Sequence, residues 1–218
     1  MTPPSALATD RLWSVVTAHR IAVADLLDGL SAEQWEQPSL CTGWTVRDVA
    51  AHLTLQQLGL RDALGTMRHW RGTMDRTIAH AARSRAAAWS TGQIAGNIRA
   101  TADVHKPTLG VTALETLTDI LVHSQDIALP LGLRLDLPTD AAAASATRTL
   151  TMRWPVPPAS VRIVRRFGLT ATDVDWSAGI GPQVSGPMSA LLLILCGRTV
   201  VLPQLSGDGV ADLATALA

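Results

Sequence analysis

The chain has 218 residues, enough for one large domain or two small ones. It is 47% hydrophobic and only 17% charged, below the ~25% of an average domain, which excludes a disordered or solvating chain. Eighteen basic and eighteen acidic residues leave no net charge, so no nucleic-acid partner is expected.

Apolar residues at helical spacing from Leu12 to Leu30 predict a first helix over about 10–30. Ser31 to Gln34 reads as a capping box opening a short turn. A loop over 37–43 follows, then Thr45 and Asp48 cap a second helix that carries Val49, His52, Leu53 and Gln56 on one face. The Arg- and Ala-rich stretch from Arg61 to Trp89 reads as helical with a solvated face. A break at 90–92 precedes a shorter helix to about Asp103, and Pro107 to Gly110 reads as a loop. Thr112 opens a strong helix to about Leu129, stopped by Pro130. Long helices with short joints describe a four-helix bundle over 1–135.

Residues 136–157 read as a connector, with a helix from about Thr139 to Met152 that ends before a Pro-rich turn. Beyond it the period changes. Val161 to Phe167 and Leu169 to Val174 look like strands, Met188 to Cys196 like a buried helix and Arg198 to Leu205 like a strand, with a last helix from Asp208. Residues 158–218 thus form a small α+β domain, and the fold class is α+β, mainly α.

Cys41 and Cys196 lie far apart without a CxxC context, so no disulfide is expected and a reducing compartment fits. The N-terminus lacks the basic and apolar regions of a signal peptide, and the apolar run from Ala190 to Cys196 is far short of the ~20 residues a bilayer needs. A cytoplasmic chain with no membrane partner is expected.

Three residues carry chemistry. Asp119 and His123 are four apart on an otherwise apolar helix, so both lie on one face. A carboxylate and an imidazole so placed can ligate one ion, with His52 as a third ligand from another helix. The same residues also fit an intrahelical Asp119–His123 hydrogen bond with an ordinary half-buried His52. Asp126 either orients a ligand imidazole or caps a neighbouring loop, the loop cap being favoured. Cys41 reads as a small loop residue or a fourth ligand, Cys196 as packing and Trp44 as an anchor of the loop. His19, His69, His80 and His105 have no partner at ligand spacing.

The segment Leu40 to Leu53 (LCTGWTVRDVAAHL) resembles the first signature of the DinB-like superfamily, and more narrowly of the mycothiol-dependent maleylpyruvate isomerase family. Asp119 to Gly132 (DILVHSQDIALPLG) resembles its second signature. Gly186 to Arg198 (GPMSALLLILCGR), followed by Leu205 to Asp208 (LSGD), is similar to its sterol-carrier-like C-terminal domain. The resemblance implies a DinB-like four-helix bundle with a divalent metal on His52, Asp119 and His123. Zinc is the first expectation, with nickel, iron or manganese as alternatives.

It further implies mycothiol as thiol cosubstrate and a small electrophilic substrate, turned over by cis–trans isomerisation or S-transfer in a monomer or homodimer. Arg198 would bind a substrate carboxylate, or else pair with Asp208 or Asp173. The isomerases proper carry Glu where this chain has Asp119, one methylene shorter. The competing expectation is a non-catalytic protein that binds metal and a small ligand on the same fold.

Overall fold

The computed structural model describes residues 7–57, 70–107, 110–153 and 156–218. His69, the first part of the 61–89 stretch and part of the Pro-rich turn lie outside the described residues. The chain divides into two compact units, one of residues 13–136 and one of residues 137–218 together with the first twelve residues. The fold is α+β and mainly α.

The first unit is helical. It holds most of α1 (Thr9–Asp28), α2 (Ala32–Trp35), α3 (Val46–Leu53) continued by a 3-10 turn over Thr54–Gln57, α4 (Met74–Ala88), α5 (Thr91–Ala100) and α6 (Ala113–Ala128). Local chemistry fixes the starts. Ser31, Thr45, Ser90 and Thr112 each accept the backbone N–H that opens a helix, and Gln34, Asp48, Gln93 and Glu115 return the bond in capping boxes. Arg71 to Thr73, which the sequence predicts to be helical, is not helical. Thr73 instead caps α4 by accepting from Arg76 N–H.

α3 is the hub. It packs against α4, α5 and α6, and its Val46, Val49, Ala50 and Ala51 are fully buried. The small alanines let neighbouring helices come close. Arg83 donates to Gly43 O, while Arg85 donates to Thr54 Oγ1 and stacks 4.4 Å over Trp89. The arginines of α4 therefore bind loops and helix ends, and are not only a solvated face.

The second unit contains α7 (Thr139–Thr151), α8 (Ala159–Val164), β1 (Gly168–Ala171), β2 (Ser177–Ala178), β3 (Gln183–Gly186), α9 (Met188–Leu195), a 3-10 segment over Thr199–Gln204 and α10 (Val210–Leu217). α9 is its core: Met188, Leu191, Leu192, Ile194 and Leu195 are fully buried, and α7 and α8 pack on it. Arg11 Nε donates to Asp140 Oδ2 at 2.8 Å, tying the first turn of α1 to α7 within this unit.

Two predicted strands are not strands. Val161 to Val164 is helical, because Pro158 sets up the helix start and Val161 and Val164, three apart, share the buried face. Its β-branched residues imitated a strand. Thr199 to Gln204 is a 3-10 turn in which Pro203 has no N–H to give a ladder. The sheet is instead β2-β1-β3, with β1 antiparallel to β2 and parallel to β3. To pass from one side of β1 to the other, the chain crosses the start of that strand at Gly179 and Gly181. Both have positive φ, and a Cβ on either would stand 2.2 Å from a carbonyl oxygen of Phe167 or Arg166.

The first unit is expected to fold alone. A chain ending at Asp136 should unfold cooperatively in urea, and loss of its helicity would make the two units one domain. A second expectation concerns His19, buried on α1, where burial pushes its pKa below the ordinary 6.5. The folded chain favours the neutral ring. This contribution is complete above pH 6.5 and drains away as pH falls towards the depressed value. His19→Leu should therefore gain on the parent in urea titrations at pH 5.5 relative to pH 7.5.

Candidate metal centre

The site lies within the first unit, where α3 meets α6. The capping box at Thr45 starts α3 so that His52 falls on its last turn, facing α6. On α6, Asp119 and His123 stand one turn apart. Asp119 Oδ1 is 3.5 Å from His52 Nε2 and 3.3 Å from His123 Nε2. The three predicted donors thus converge, all within 4.8 Å of one another. Donor atoms 2.0–2.2 Å from a common tetrahedral ion would stand roughly 3.3 Å apart, so the separations fit a divalent metal.

The two imidazoles are held differently. His123 Nδ1 is 2.8 Å from Oδ2 of Asp126, whose side chain is fully buried. With that proton on Nδ1, Nε2 is the nitrogen left for an ion. Asp126 is therefore the orienting partner of an imidazole, and the other reading, a side chain that holds the neighbouring loop, is met as well. It also accepts from Cys41 Sγ at 3.1 Å, while its backbone carbonyl accepts from Leu40 N–H. His52 Nδ1, by contrast, is buried without a hydrogen-bond partner. Packing orients this ring: Trp44 stands edge-on at 5.7 Å and His123 at 4.8 Å between centroids. Trp44 itself is half-buried.

Cys41 sits 3.7 Å from His123 Nδ1, on the side of the ring away from Asp119. Cys41, His123 and Asp126 form a second cluster of metal-capable donors that shares the imidazole. Cys196 is buried on the end of α9. Arg198 follows it in the second unit, half-buried, and donates to Cys196 O. Asp173 and Asp208, the carboxylates considered as its partners, accept from the backbone N–H groups of Met188 and Gln183. His80 lies beside Arg71, and His105 stacks on Trp13.

Charge within the cluster is shared. Burial alone would raise Asp119, but the facing His123 and His52 hold it well below the usual carboxylate range. Burial would lower His123, but Asp119 first, then Asp126 and Cys41, hold it well above 6.5. Without an ion, a proton on His123 balances Asp119. Asp119 keeps 31% of its side chain exposed, so the centre can be reached from solvent.

Sequence reasoning missed Gln56 and Arg20. Gln56 Nε2 donates to Asp119 Oδ2, and Arg20 Nη2 donates to Gln56 Oε1 at 3.3 Å. The signal for Gln56 was its position four residues after His52. Arg20 interrupts the apolar stripe of α1, but a long cationic side chain there ordinarily reaches out to water.

Residues 16–114 match the family model described as the mycothiol maleylpyruvate isomerase N-terminal domain. That segment contains His52 but ends before Asp119 and His123. The fold is similar to a crystal structure of the mycothiol-dependent maleylpyruvate isomerase, at 14% identity and TM-score 0.62, covering 95% of this chain and 96% of that one. A crystal structure of a histidine-to-alanine mutant of that isomerase matches over the same shares at 14% identity and TM-score 0.63. No curated protein matches. Among the described residues, no helix is long and apolar enough to cross a membrane. Residues 16–114 thus resemble the mycothiol maleylpyruvate isomerase N-terminal domain, and the fold of the chain is similar to that of the mycothiol-dependent maleylpyruvate isomerase.

Proposed function

We propose that this protein is a metal- and mycothiol-dependent enzyme, an isomerase or S-transferase acting on a small electrophilic substrate. The observation that carries the reading is the convergence of Asp119 Oδ1, His52 Nε2 and His123 Nε2 from two helices. These side chains would hold the ion. Nitrogen and oxygen donors of this kind suit zinc first, with nickel, iron or manganese also acceptable. A bound divalent ion would supply Lewis-acid chemistry that lowers the pKa of a thiol brought to it.

The chain's own residues do the rest. Asp126 keeps the His123 proton on Nδ1 and so keeps Nε2 free as a donor. The partial exposure of Asp119 leaves a side by which small molecules enter. Because Cys41 and Asp126 approach His123 at Nδ1, they compete for no place among the three converging atoms. That supports open positions, as a catalytic centre needs. Arg198 is assigned the substrate carboxylate, on the strength of a guanidinium fork that grips both its oxygens. A thiolate that adds to an unsaturated carbon, lets the adduct rotate and leaves again gives cis–trans isomerisation. If it stays bound to the carbon and the neighbouring carbanion takes a proton from solvent, the outcome is S-transfer.

His52→Ala should lower bound zinc at least ~10-fold by equilibrium dialysis, as expected when a direct ligand is lost. Unchanged metal content would remove the basis of the centre. Chelation of the metal and omission of mycothiol should each abolish turnover. Arg198→Lys should keep its metal but lose about 1.5–3 kcal/mol in kcat/KM for an acid substrate, the worth of one charged hydrogen bond. A lower melting temperature with unchanged turnover would instead give Arg198 a purely structural role. Full activity in metal-free, thiol-free protein would end the enzymatic reading.

A further inference from the structure

Behind Asp119 lies a chain of polar groups running away from the ion site. Arg20 comes from α1 and is 2% exposed, so its charge is enclosed in the helical unit. Nη1 lies within 3.1–3.4 Å of the carbonyls of Thr101, Ala102 and Val104, at and just beyond the C-terminal end of α5. Those carbonyls lie beside the negative pole of that helix, a place that suits a buried cation. Burial still lowers its pKa to about 10, against the attraction of Asp119, so it stays charged at neutral pH. Nη2 turns the other way and meets Gln56 Oε1.

The order of groups in this chain is forced. A guanidinium only donates, so Gln56 must present Oε1 to Arg20 and Nε2 to Asp119. The amide therefore cannot flip, and it always offers a donor to Oδ2. A direct Arg20–Asp119 pair would behave otherwise. A guanidinium fork binds both oxygens of a carboxylate at once, so neither is left to the ion alone. With glutamine between them, only Oδ2 is engaged, and Oδ1 remains between the two imidazoles.

Resting on the metal-centre reading above, we propose that Gln56, locked by Arg20, is the positioning residue that makes Asp119 a one-oxygen ligand. It turns the carboxylate so that Oδ1 faces the ion, and it keeps Oδ2 from taking a second coordination position needed by thiol or substrate. It also gives the shorter aspartate a fixed orientation, where rotation about its last bond would otherwise move the donor atom.

The test is cobalt(II) titration of the full-length apoprotein, reading affinity and the visible d–d spectrum. Gln56→Met keeps length and loses the donor. It should weaken cobalt binding by about 10–100-fold, the usual cost of removing an orienting partner. The d–d bands should also weaken, because a released carboxylate can chelate through both oxygens and band strength falls as coordination number rises. Arg20→Lys, which keeps charge without the fork, should give a smaller change in the same direction and covers the case in which Gln56→Met does not fold. If folded variants melt lower but bind cobalt with unchanged affinity and spectrum, the role is structural and the proposal is overturned. If the parent protein itself binds no cobalt, the metal-centre reading fails, and this proposal with it.

Discussion

A carboxylate held between two imidazoles and an amide sets the terms for the helical unit. Asp119 carries negative charge into a cluster that burial penalises, and every neighbouring element supplies something to hold it. α3 brings His52, the next turn of α6 brings His123, and the 3-10 continuation of α3 brings Gln56. Behind these, Arg20 adds a positive charge and Asp126 accepts from His123 and Cys41. An isolated buried charge costs several kcal/mol, whereas a chain of alternating charges and dipoles spreads that cost over many bonds. The packing of α3 on α6 and the placing of these groups are one problem with one solution.

Much of this was legible in the sequence, because helix starts and periodicities are local. The capping boxes at Ser31 and Thr45 and the helix opened by Thr112 depend on side chains within a few residues of each start. The spacing of Asp119 and His123 put them on one face, and the resemblance brought in His52. What stayed hidden depends on distant partners. Nothing near Arg20 in sequence says that its charge is spent on carbonyls about eighty residues away and on Gln56. The Asp126 side chain was only half read for the same reason. Its spacing from His123 fitted both an imidazole partner and a loop contact, and the carboxylate makes both, to His123 and to Cys41.

The second unit shows where local patterns mislead. Val161 to Val164 has the composition of a strand, yet burial of one helical face against α9 outweighs β propensity there. The true strands are short and partly built around glycines, which carry no side-chain pattern to read. Gly179 and Gly181 are set by a backbone crossing that no propensity scale records.

That small sheet bears on how the protein behaves at high concentration. An open sheet edge is a template on which another copy can add a strand. Here β2 is two residues long, too short to recruit a partner strand. On the other edge, Ser206 bridges to Ser185 of β3, with backbone bonds of 2.7 and 2.8 Å in both directions. Among the described residues, both margins of the sheet are thus curtailed, one by brevity and one by the chain's own return, which leaves little open edge for another copy to pair with.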